Sequence, residues 1–120
     1  MKYLLVLHLN PDVMDALSEE DKQAIYAGHE SFIAALRESG EMLGTVALAE
    51  PAKSAVVRVR DGAPAVTDGP YLEAKEFLAG YYLVECKSAE RAYELAAMIP
   101  DAKIEGLGVE VRPVEFSLDA

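Results

Sequence analysis

The sequence has no tryptophan and a single cysteine, Cys86. One thiol cannot close an internal disulfide, which suits a reducing cytoplasm as the expected location. Basic residues are scarce: 11 Lys and Arg stand against 21 Asp and Glu, a formal net charge of -10. Such a chain repels a phosphate backbone, and its densest basic cluster is only Arg58 with Arg60, so nucleic acid is excluded as an expected partner. Long apolar runs are missing too. The opening Met1–Leu7 is broken at His8 and Asn10-Pro11, far short of the ~20 apolar residues of a membrane span. No small-residue cleavage pattern follows it, so it reads as a first strand and not as a signal peptide, and no membrane partner is expected. There is no glycine-rich phosphate loop, no Cys/His cluster at metal spacing, no nucleophile elbow and no dinucleotide fingerprint. ATP, NAD, structural zinc and haem therefore have no visible place, and the expectation is a protein without cofactor or metal.

What remains is a globular composition, 52% hydrophobic in 120 residues, read as one domain over 1–120. Tyr3 to Leu9 reads as a strand ended by Asn10-Pro11, and Asp12 to Leu17 as a short turn of helix. Ser18 opens a long helix. With Asp21 three residues on it resembles a capping box, and Glu19, Glu20 and Asp21 complement the positive end of the helix dipole. The apolar stripe Ile25, Phe32, Ile33, Leu36 follows, and Gly40 stops the helix. Met42 to Ala49 is apolar. Ser54 to Arg60 alternates, Asp61-Gly62 is a two-residue hairpin signal, and Ala63 to Asp68 returns. Gly80 to Cys86 is a further strand. Ser88 caps a helix with the stripe Ala92, Leu95, Ala96, Ile99, which Pro100 ends. Lys103 to Gly106 reads as a short edge strand and Val109 to Phe116 as the last strand.

The order predicts an α+β fold: a ferredoxin-like β-α-β-β-α-β arrangement with an inserted β-hairpin in an antiparallel sheet. Two helices cover only one face of such a sheet. Yet Leu4 and Val6 oppose Tyr3, Leu5 and Leu7 along the first strand, and Tyr81 and Leu83 oppose Tyr82 and Val84. An uncovered apolar face asks for a partner, and sheet-on-sheet pairing of two copies, a homodimer, is the expectation.

Asp68-Gly69-Pro70-Tyr71, followed by Glu73-Ala74-Lys75-Glu76 and Gly80-Tyr81-Tyr82, resembles the DGPF motif and its downstream signature in the YCII-related family. Val57-Arg58-Val59-Arg60-Asp61-Gly62 and Val109-Glu110-Val111-Arg112-Pro113-Val114 extend the likeness over most of the chain. The resemblance implies a subunit that pairs into a dimeric α+β barrel. It implies little about activity: a few relatives are enzymes of the dehydrochlorinase or lactone-isomerase kind, and others are named as stress- or sigma-factor-associated proteins.

His29 is the most suggestive side chain. It lies on the apolar stripe of the long helix, four residues after Ile25 and three before Phe32, and faces the sheet. Two readings stand: a packed histidine bonded to a carbonyl, or a general acid/base whose pKa a nearby carboxylate sets. The resemblance adds that YciI-type relatives carry a proposed catalytic histidine here, working with an aspartate just before a proline after the second helix. This chain has Ile99 before Pro100, and Asp101 beyond it. Asp68, which hairpin register sets opposite Ala55 on the row of Val57, Val59 and Val66, is the alternative partner; otherwise it makes an Asx turn before Gly69-Pro70. Lys75 either holds an anionic substrate or pins its loop. His8, Tyr71 and Tyr82 are further substrate-binding candidates, and Cys86 reads as a small buried hydrophobe. The expected activity is cofactor-free elimination or isomerisation of a small organic acid or ring compound, with His29 and Asp68 catalytic. The alternative is a non-catalytic metabolite-binding or regulatory module, of the sigma-factor-associated kind.

Overall fold

The apolar opening run becomes β1 (Lys2–Leu9), an inner strand flanked on both sides. The computed structural model describes residues 1–118. After β1 come α1 (Pro11–Asp15), α2 (Glu19–Ser39), β2 (Met42–Ala47), β3 (Ala55–Arg60), β4 (Ala63–Asp68), β5 (Phe77–Glu85), α3 (Ala89–Met98) and β6 (Gly108–Pro113). Strands β2, β5, β1 and β6 lie in that order in one antiparallel sheet, while β3 and β4 form a separate two-stranded sheet. The chain is thus α+β with antiparallel sheets. No helix of the described residues is long and apolar enough to cross a membrane.

Local chemistry sets the helix ends. The Ser18 hydroxyl accepts from the Asp21 backbone N–H, and Gly40 closes α2 at φ 78°, a left-handed conformation that glycine adopts without a Cβ clash. Ser88 caps α3 in the same way through the Arg91 N–H. At the hairpin, Asp61 (φ 53°) and Gly62 (φ 78°) are both left-handed, as a type I′ turn requires.

Tyr3 stands opposite Val84 and Leu5 opposite Tyr82, and these four side chains meet Phe32, Leu36, Ala92, Leu95, Ala96 and Ile99 in the core. Both longer helices therefore lie on one face of the sheet. The α3 stripe expected from sequence is buried in full, and Cys86 is buried as well. The other face carries Leu4, Val6, Tyr81 and Leu83, beside a chain of charged groups. There Glu110 accepts from His8 Nε2 at 2.7 Å and from Arg112 Nε at 2.9 Å. His8 first, then Arg112, hold the Glu110 carboxyl below the usual carboxylate range.

Two stretches differ from the sequence reading. Lys103 to Gly106 is not an edge strand: a 3₁₀ turn spans Pro100–Lys103, Gly106 is left-handed at φ 90°, and the last strand ends at Pro113 instead of Phe116. The proline tightens the chain into a turn directly after α3, where alternation alone suggests extension. The second difference lies in the hairpin. Val57, Val59 and Val66 share one face, as the register requires, but each is more than 60% exposed. No ladder joins β3 or β4 to the larger sheet. The chain exposes 8394 Å², where a compact monomer of 13.0 kDa exposes about 6,300 Å². Its radius of gyration, 16.4 Å, likewise exceeds the about 13.6 Å of a compact domain this long.

Candidate functional site

A cavity of about 590 Å³ opens between the N-terminal half of α2 and the sheet. Leu7, Leu9, Ile25, Ile33, Val46 and Ala79 make much of its wall, and His29, Tyr82 and Asp101 form its polar floor. A bulge interrupts that wall between Leu7 and His8, leaving Ala79 of β5 without an opposite residue on β1. A Cβ at Gly80 would collide with the Val46 carbonyl, so the close approach of β2 to β5 depends on glycine there.

His29 sits midway along α2, and both ring nitrogens have partners. Nε2 lies 2.8 Å from Asp101 Oδ1, and Nδ1 lies 2.6 Å from the Tyr82 hydroxyl. An ionised carboxylate can only accept, so the neutral ring carries its proton on Nε2 and accepts the Tyr82 O–H at Nδ1. Asp101 is 4% exposed. The 3₁₀ turn that Pro100 begins delivers its carboxylate to the helix, and Gly28 lets the turn come near: a Cβ there would run into the Pro100 ring. Tyr82 stands on β5 with its ring edge-on to Phe32, centroids 4.9 Å apart at 89°. Burial, and then the negative charge of Asp101, pushes its hydroxyl up to about 12, so Tyr82 stays protonated as a donor at neutral pH.

The structure pairs His29 with Asp101 and not with Asp68. Asp68 ends β4 opposite Ala55, as the register reading has it, but it is exposed on the separate hairpin. The Gly69 N–H donates to the Ser54 carbonyl there and closes the base of the hairpin. His8 belongs to the opposite face of the sheet, against Glu110, while its neighbours Leu7 and Leu9 line the cavity. Tyr71 is exposed beneath the Arg58 guanidinium, 5.7 Å from the ring centre, and Lys75 is exposed outside the cavity wall. Of the residues singled out from sequence, His29 and Tyr82 come together. Asp101 is the member that spacing alone does not select, since a proline separates it from the expected position. Its signal is an acid flanked by Pro100 and Ala102 after an apolar helix stripe. Among the described residues, no three His, Cys, Asp or Glu side chains gather as a metal site would need.

The YCII-related domain model matches residues 1–117. The chain belongs to the YCII-related family. A member of the same kind is the uncharacterised protein R00369 of Rhizobium meliloti (strain 1021), 28% identical over 114 residues, which span 95% of this chain and 92% of that protein. The matched residues 1–117 include the four-stranded sheet, the hairpin and the residues that line the cavity.

Proposed function

We propose that this YCII-related protein is an acid–base catalyst of elimination or isomerisation on a small organic molecule, using its own side chains and no cofactor. The observation that carries the reading is the hydrogen-bonded series Asp101–His29–Tyr82 at the floor of an apolar cavity. Tyr82 and His29 both line the cavity, with the His29 side chain 21% and Tyr82 3% exposed. As Tyr82 Oη takes a proton from the ligand, its own proton passes to His29 Nδ1, and the imidazolium is balanced by the Asp101 carboxylate on Nε2. Tyr82 then never has to exist as free phenolate, which its raised pKa would oppose. The reverse passage returns the proton to another ligand atom in an isomerisation, or to a leaving group in an elimination.

A metabolite-binding module without turnover would use the same cavity but has no need of a carboxylate at bonding distance behind the histidine. The acid partner at 2.8 Å favours catalysis over that reading. The test is a screen of small organic acids and ring compounds with the wild type, His29→Gln and Asp101→Asn, each checked for native circular dichroism. Turnover should fall at least about 100-fold in both variants, the usual worth of a positioned acid–base group. Equal turnover by a folded His29→Gln variant would reject the assignment.

The fold supports a further part of the proposal. The sheet order β2-β5-β1-β6, with a helix after β1 and another after β5, fits a ferredoxin-like subunit with the β3–β4 hairpin inserted. The surface excess of about 2,000 Å² over a compact monomer matches what a substantial dimer contact buries. Both support a homodimeric α+β barrel as the working form.

A further inference from the structure

We infer that the ligand is a monocarboxylate with a flat apolar body, its carboxylate held by Lys22 at the mouth of the cavity and its reacting end at Tyr82. The inference rests on the cleft proposed above and adds the class of molecule that fills it. The floor is internally satisfied: His29 bonds Asp101 and Tyr82, and the Thr45 hydroxyl donates to the Tyr81 carbonyl. The wall is aliphatic. Among the described residues Lys22 is the one Lys or Arg of the lining, and the ion pair it makes there is with Glu19, at 3.5 Å and one turn back, the two side chains 33% and 85% exposed. An exposed pair of that kind is weak, so a ligand carboxylate can replace it.

Helix geometry then sets the ligand's length. Lys22 and His29 are seven residues apart, two turns on the same face, so their backbones are about 10 Å apart along the axis. Tyr26 lies between them on that face, lines the cavity and is 68% exposed. Its ring stands outside the core cluster of the described residues, and it offers a face for stacking a planar body. A phosphate is a poorer fit. The nearby N-terminus of α2 is capped by the neutral Ser18 and carries Glu19, Glu20 and Asp21, whose charges oppose a doubly charged anion more strongly than a singly charged one. A single cation in a chain of net charge -10 balances one negative charge and not two.

The test is an NMR titration of the full chain with 3-phenylpropionate and with 3-phenylpropionamide, following the His29 ring protons. The acid should bind about tenfold more tightly than the amide, the worth of one charge-assisted bond at a half-exposed site. In Lys22→Gln the difference should vanish while amide affinity is unchanged, and Lys22→Arg should restore it. Equal affinity of acid and amide for the wild type would overturn the carboxylate assignment and leave the cleft standing. A difference that persists in Lys22→Gln would overturn the role of Lys22. No response of His29 to either compound, up to millimolar concentration, would overturn the ligand class and the cleft together.

Discussion

The Tyr82 hydroxyl ties the stability of the site to pH. It satisfies His29 Nδ1, so Tyr82→Phe should lower stability at neutral pH by about 1 kcal/mol, the net worth of one buried hydrogen bond. Urea titration would read this as a lower midpoint at unchanged slope. The folded-state pKa is raised from 10.0 to about 12, so the folded protein holds the phenolic proton more tightly than the unfolded chain does. Wild-type stability therefore falls as pH rises through that interval, and the deficit of Tyr82→Phe should shrink over the same range. The site is half legible from sequence at this scale. His29 declares itself, because a histidine on an apolar helical stripe must face the sheet. Its acid does not, because Asp101 is 72 residues away along the chain and beyond a proline. Only the tight turn after α3 brings it round.

Between elements, two contacts decide whether that geometry survives. Gly28 and Pro100 lie one residue from His29 and Asp101 respectively, where α2 meets the 3₁₀ turn. Gly28→Ala adds a methyl group into the proline ring. It should cost about 1–3 kcal/mol by overpacking and lengthen the His29–Asp101 bond, seen as a mixture of histidine tautomers in ¹⁵N spectra. The second contact joins the end of α2 to α3: Arg91 grips Glu41 through two bonds, at 3.0 and 2.8 Å. Those hydrogen bonds hold the Glu41 carboxyl below its ordinary 4.5. The stabilisation is complete above that value and is lost as pH falls through the depressed one. Glu41→Gln should be less stable than the wild type at pH 7, and thermal melts should converge as the solution is acidified from 4.5 down through the depressed value. Elements themselves are the most legible level. Caps at Ser18, Gly40 and Ser88 and the Asp61-Gly62 turn are local chemistry and need no tertiary information. The stretch after Pro100 misleads because extension and a 3₁₀ turn present the same short mix of apolar and polar residues.

For the whole molecule, the hairpin is the feature that a lone subunit does not explain. A row of exposed valines on an arm with no ladder to the main sheet calls for cover from elsewhere. Sedimentation at micromolar concentration should give twice the chain mass. Val57→Asp with Val59→Asp should weaken association at least about tenfold if the arm lies in the contact, while circular dichroism of the monomer stays native. The two-faced sheet is legible in the alternation of β1 and β5, but how far the arm stands away is not, since register fixes pairing within a hairpin and not its direction in space. An arm whose one ladder, among the described residues, is that between its own six-residue strands has little to resist opening when alone. Its amides should then exchange with heavy water quickly in dilute samples and slowly in concentrated ones, while those of β1 and β5 hold their pace throughout. The backbone of residues 55–68 would serve as a built-in gauge of how crowded the protein is with its own kind.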